Sequence, residues 1–209
     1  MGKKVRLEGV RLGFAHGLFR ASSFDEGQQP KYGCDLMLVE GHRVVDLTDP
    51  TKPKVTTMTE VLKDVANDAW KGKGVEVLKA LESSKKCLRK GDSRLTKGGE
   101  VYEGYEGINY VTAKNKHPIK LRTKGGAEIT EADGILYSGC FANAIVEIYA
   151  MTDPKKKGVH ATLTGVQFVK DGDAFAGSGA RFNEDDFDYE AGADAGDIDN
   201  TASSDDDFT

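Results

Sequence analysis

Apolar and polar residues alternate at the start of the chain. In "KVRLEGVRLGF" they take turns around one glycine, the pattern of a half-buried strand with a bend. A strand is predicted over about Lys4–Phe14. "KYGCDLMLVEG" predicts a second, ending at Gly41, and "AHGLFRASSFDEGQQP" between them reads as a loop. The period then changes. In "TTMTEVLKDVANDAWKGKG", Val61, Leu62, Val65, Ala66, Ala69 and Trp70 fall on one helical stripe. Thr57 and Glu60 are spaced for a capping box, and Gly72 or Gly74 supplies the stop. "VEVLKALESS" predicts a shorter helix. Trp70 lies on the apolar stripe and is expected to pack the helix onto the rest.

Beyond the helices the β signals return in short runs: "EVYEGYEGINYVTAK", "IKLRT", "AEIT", "GCFANAIVEIYAM" and "GVHATLTGVQFVKDGD". Glycine-containing turns separate most of them. Short strands around one helical insertion, at about 56–84, predict a mainly β body: a small, strongly bent barrel with one or two helices packed on one side. In "GCFANAIVEIYAM" the even positions Cys140, Ala142, Ala144, Val146, Ile148 and Ala150 are all small or aliphatic and read as core. Phe141 and Tyr149 then share the other face, open to stacking or to cover by the helices.

Charge divides the chain in two. Of 34 acids and 29 bases in 209 residues, residues 184–209 hold 11 acids and no Lys or Arg. The remaining 23 acids face all 29 bases, so residues 1–183 carry a net charge of +6. A basic body with an acidic segment is a two-part electrostatic device. The segment is also rich in Gly, Ala and Ser and is expected to be disordered. It contains Asp205, Asp206, Asp207 and Phe208; solubility alone would not call for that phenylalanine.

The bases of the body are clustered. "KKCLRKGDSRLTK" holds Lys85, Lys86, Arg89, Lys90, Arg94 and Lys97 against one acid. "KNKHPIKLRTK" holds Lys114, Lys116, Lys120, Arg122 and Lys124 against none. Between them lie Tyr102, Tyr105 and Tyr110, with Glu103 and Glu106 tempering the potential. Cations to meet phosphates and ring faces to stack on bases are what single-strand binding needs. By that chemistry Tyr102, Tyr105, Tyr110, Phe141 and Tyr149 are the stacking candidates, though a strand tyrosine more often packs in a core. Lys155, Lys156 and Lys157 follow the turn signal "TDP" and form a loop tip with a secondary phosphate role.

Other chemistry finds little support. His16, His42, His117 and His160 show no metal spacing, and no metal or cofactor is expected. The body has no acid cluster to hold two metals for a nuclease, and no nucleophile elbow. Cys34, Cys87 and Cys140 lie far apart and fit a reducing compartment. No apolar run approaches a membrane span, and the N-terminus does not read as a secretory signal.

"LFRASSFDEGQQPKYGCDLML", "YEGYEGINYVTAKNKHP", "ILYSGCFANAIVEIYA" and "GVHATLTGVQFVKDGDAFAGSGARFNEDDFD" resemble, in this order, a family of bacteriophage single-stranded DNA-binding proteins. The resemblance runs from about Val5 to Phe187. It implies an OB (oligonucleotide-binding) barrel of five strands with additional strands, no enzymatic activity, and a role in phage replication, recombination and repair in the cytoplasm of the infected host. Residues 1–183 would be the binding domain. The acidic segment with Phe208 is similar to the tails of other single-strand binders, although Thr209 follows the aromatic here. It would compete with DNA for the basic surface and recruit phage or host replication proteins. Self-association is compatible with this reading. The alternatives are a strand-annealing recombination protein and a structural module whose barrel holds protein.

Overall fold

Gly9 lets one strand serve two neighbours. In the computed structural model, which describes residues 2–23 and 29–175, β1 (Lys3–Gly13) is the longest continuous wall of the first half of the chain. Its register with β8 (Phe141–Met151) shifts between Leu7 and Val10, and Gly9 sits in that bulge at φ +66°. A side chain there would be strained; glycine is not. Before the bulge β1 pairs with β3 (Arg43–Asp46), and after it with β2 (Tyr32–Leu38). The bend therefore closes a barrel.

The ring runs β1–β2–β6–β9–β8 and back to β1, with β6 at Asn109–Asn115 and β9 at Gly158–Lys170. All pairings in it are antiparallel except β6–β9, which is parallel and registered at Lys114 and Thr162. Four short strands lie outside the ring: β3 on β1, β4 (Lys54–Thr56) on β3, β5 (Leu88–Lys90) on β6 and β7 (Lys120–Arg122) on β9. The β3–β4 hairpin and β5 had no clear signal in the sequence. "AEIT" forms no strand, only a bridge from Glu128 to Arg122. "EVYEGYEGI" forms one bridge, from Val101 to Leu95, and then turns, and pairing in β6 begins at Asn109.

Alternation built the interior as expected except at Ala150, which is only partly buried. Cys140, Ala142, Ala144, Val146 and Ile148 are fully buried against Val5, Leu7, Val10 and Leu12. Helix α1 (Met58–Ala69) lays Met58, Val61, Leu62 and Val65 on that core. Its capping box is formed: Glu60 N–H donates to Thr57 Oγ1 at 3.2 Å and Thr57 N–H donates back to Glu60 at 3.1 Å. Helix α2 (Gly74–Ala80) folds back on α1, where a Cβ on Gly74 would meet the Ala66–Asn67 backbone. Residues 184–209, including Asp205, Asp206, Asp207 and Phe208, lie outside the described residues.

Candidate nucleic-acid interface

A groove of about 1020 Å³ crosses the barrel over β2 and β6, its second and third strands in chain order. Both the β1–β2 loop and the β8–β9 loop contribute to its walls. The β1–β2 loop brings Lys31; residues 84–94 bring Lys85, Lys86, Arg89 and Arg94. β6 and the turn after it bring Lys114 and Lys116, and the β8–β9 loop brings Lys155, Lys156 and Lys157. Those ten cations share the lining with one carboxylate, Asp35. A concave wall of one sign focuses the field it makes and raises the local concentration of anions.

The backbone explains why residues 85–89 belong to this wall. β6 and β9 meet at a single registered pair, which leaves a gap beside it. Cys87 fills the gap: its N–H donates to Val159 O at 2.8 Å, and its carbonyl accepts from Thr112 N–H at 2.9 Å. The segment is thus stitched between two barrel strands. Arg89 then braces its own loop, donating to the carbonyls of Lys86 and Ser84 at 2.9 Å each.

Asp35 organises one end. Its buried carboxylate accepts from Tyr105 Oη at 2.9 Å and Thr112 Oγ1 at 2.8 Å, and lies 3.3 Å from an Arg94 nitrogen. A buried carboxylate is tolerable only with this much partnering. Arg94 in turn stacks its guanidinium 4.6 Å from the Phe14 ring centroid. Phe14 holds φ +55°, a strained value for an aromatic residue, and forms part of the groove lining. Neither Phe14 nor the Asp35 hub was found from the sequence. The signal available was an aromatic at the end of a strand just before a loop.

The tyrosine reading needs correction. Tyr105 and Tyr110 are 1% and 2% exposed, so neither offers a face for stacking. They form a second small core with Met37 and Phe175, their ring centroids 5.1 Å apart and nearly perpendicular. Burial, with Asp35 alongside, raises both phenol pKa values. Tyr102 is partly buried, edge-on to Phe14 at 5.1 Å. Phe141 lies outside the groove lining, between the Lys170 ammonium at 4.6 Å and the Arg11 guanidinium at 5.8 Å. Of the expected stacking residues only Tyr149 lines the groove, beside His160 at 5.8 Å. Lys85, Lys86, Arg89, Arg94, Lys114 and Lys116 line it as well; Lys90, Lys97, Lys120 and Arg122 do not. Lys31, His16, His117 and His160 join them.

Crowding of the cations is felt at Lys114. Partial desolvation of its ammonium group lowers its pKa, and Lys31, Arg89 and Arg94 push the same way against the pull of Asp35. The cysteines Cys34 and Cys87 in the floor are buried free thiols whose pKa values burial raises, that of Cys87 to about 12.

A closed five-strand barrel with one parallel closure and a groove over its second and third strands defines an OB fold, whose members bind oligonucleotides on this face. The family model of the single-stranded DNA-binding protein of Enterobacter phage Enc34 matches residues 3–198, and the chain belongs to that family. Protein p50 of Acyrthosiphon pisum secondary endosymbiont phage 1 is 34% identical over 179 residues, covering 84% of this chain and 88% of p50. The Enc34 protein solved in complex with ssDNA superposes with a TM-score of 0.60 at 16% identity, over 83% of this chain and 89% of that one. Its free form gives 0.60 at 16%, over 88% of each chain.

Proposed function

We propose that this protein binds single-stranded DNA without sequence preference and without catalysis, and serves phage replication, recombination and repair in the cytoplasm of the infected bacterium. One observation carries the reading: ten cations and a single carboxylate line the OB face, with the rings of Phe14 and Tyr149 among them. Phosphates would follow the lysines while bases stack on the rings. The Enc34 relative, solved with ssDNA, supports it. The acidic residues 184–209 would compete for the same cations, and Phe208 with Asp205, Asp206 and Asp207 would engage replication proteins.

Anisotropy of labelled oligo-dT at two salt concentrations tests the reading. Affinity should fall with salt, log K dropping by ~0.7 per phosphate contacted for each decade of salt. Duplex DNA should bind far more weakly, because its bases are not free to stack. Removal of residues 184–209 should tighten binding at low salt, and the difference should shrink as salt rises. A flat salt dependence, or equal affinity for duplex, would overturn the reading.

A further inference from the structure

Lys157 belongs to two places at once. It lines the groove, and its ammonium lies 6.0 Å from the ring centroid of Trp70. Trp70 ends α1, where its N–H donates to Ala66 O at 2.9 Å. It packs on the main core yet remains partly exposed. The turn that follows anchors its backbone. Lys73 N–H donates to Trp70 O at 3.1 Å, Gly72 N–H to Asn67 O at 3.0 Å, and Gly74 N–H to Asn67 Oδ1 at 3.1 Å. Lys71 stands in the left-handed region at φ +51°, and it and Lys73, one and three residues after Trp70, are exposed. An indole outside the groove lining is thus joined to it through Lys157, with Lys71 and Lys73 following in the next turn.

Resting on the single-strand reading above, we infer that Trp70 is a stacking station that extends the ssDNA path beyond the groove. Lys157 holds the place in the free protein: its cation covers the ring face by a cation–π contact. When DNA arrives, the ammonium moves to a phosphate and a base takes the ring. The exchange replaces a single ammonium 6.0 Å from the indole centroid with a base that covers more of the ring. Lys71 and Lys73 meet the backbone on the far side.

Trp70 is the single tryptophan of the chain, so its emission reports this ring alone. Full-length protein is titrated with oligo-dT while DNA anisotropy and tryptophan emission are recorded together, with acrylamide quenching before and after. Emission should be quenched in step with anisotropy, and acrylamide access should fall as the base replaces the lysine. Trp70→Leu should weaken binding roughly 5- to 150-fold, the range of one base stacked on one aromatic. Because that variant could lose packing, Lys157→Met serves beside it. It should keep the quenching and lower the salt slope by ~0.7. Binding by anisotropy with emission and acrylamide access unchanged, or with access increased, would overturn the station and leave the single-strand reading standing. No binding by anisotropy would overturn both.

Discussion

Phe141 and Tyr149 stand on the same face of one strand, eight residues apart, roughly 26 Å along it at ~3.3 Å per residue. Each is an aromatic ring with cations near it. At Phe141 the arginine is committed, while Lys170 is exposed with its ammonium over the ring. Arg11 donates to the carbonyls of Gly139 at 2.8 Å and Asp173 at 2.6 Å, and lies 4.4 Å over Phe175. The chain closes over that ring as well: a Cβ on Gly172 would meet it at 2.9 Å. At Tyr149 the neighbours are His160 and the β8–β9 loop, whose Lys155 and Lys156 are exposed. The same residue types form a staple at one end and an open surface at the other. What separates them is the cover: Arg11, held by two carbonyls, and the Gly172 backbone close on Phe141, whereas Tyr149 lines the groove.

Charge removal is the most forceful way to break this contrast. Replacing Lys155, Lys156 and Lys157 together with Ala should cut ssDNA affinity about a hundredfold at ~0.1 M salt and flatten the salt slope by ~2, three contacts at ~0.7 each. Lys170→Ala, at the Phe141 end, should leave both unchanged. Anisotropy titrations across a salt series check the pair. Equal losses from the two ends would erase the distinction between staple and surface.

Ring removal sharpens it with a smaller effect. Tyr149→Leu should weaken ssDNA about tenfold, within the range of one stacked base, while its melting temperature hardly moves. Phe141→Leu should do the reverse. It loses two cation–π contacts worth about 0.5–1 kcal/mol each, melts earlier, and binds DNA as before. Thermal melts run beside the titrations distinguish the two outcomes.

The sequence could identify the face but not the end. Alternation in "GCFANAIVEIYAM" separates buried Cys140, Ala142, Ala144, Val146 and Ile148 from Phe141 and Tyr149, because period two is local. Which end meets the groove depends on where residues 84–94 and 152–157 land, and that is set by pairings far away in the chain. Tyr105 shows the same limit. Its "EGYEGI" context is polar and glycine-rich, yet it is buried, because Asp35, 70 residues earlier, receives its hydroxyl. Gly13 and Gly91 leave room for it. The helix was legible down to its capping box, whose partners lie three residues apart. The basic runs were legible as composition, but Lys90, Lys97, Lys120 and Arg122 differ from Lys86 or Lys114 only by position in the fold.

The smallest expected effect probes the crowding that makes the open end open. In the free protein the Lys114 pKa lies below its ordinary 10.5, chiefly through desolvation and then through neighbouring cations. Bound phosphates would restore the proton's hold. At pH values below the depressed pKa, Lys114 is charged in both free and bound protein, and affinity is independent of its titration. As pH rises through that value the free protein releases a proton that the complex keeps, so affinity falls with pH. One phosphate contact at ~0.1 M salt makes the loss at most about fivefold. Nearby groups would not mimic it. Burial raises the pKa values of Cys34, Cys87, Tyr105 and Tyr110, opposite in direction to the shift at Lys114. Lys114→Arg supplies the control, because a guanidinium keeps its charge throughout. Titrations between about pH 8 and pH 10 should show a decline in the wild type that is shallower in Lys114→Arg. Identical declines in both would mean that the groove cations do not crowd one another at Lys114, and that the charge at this end is no less satisfied than the charge around Phe141.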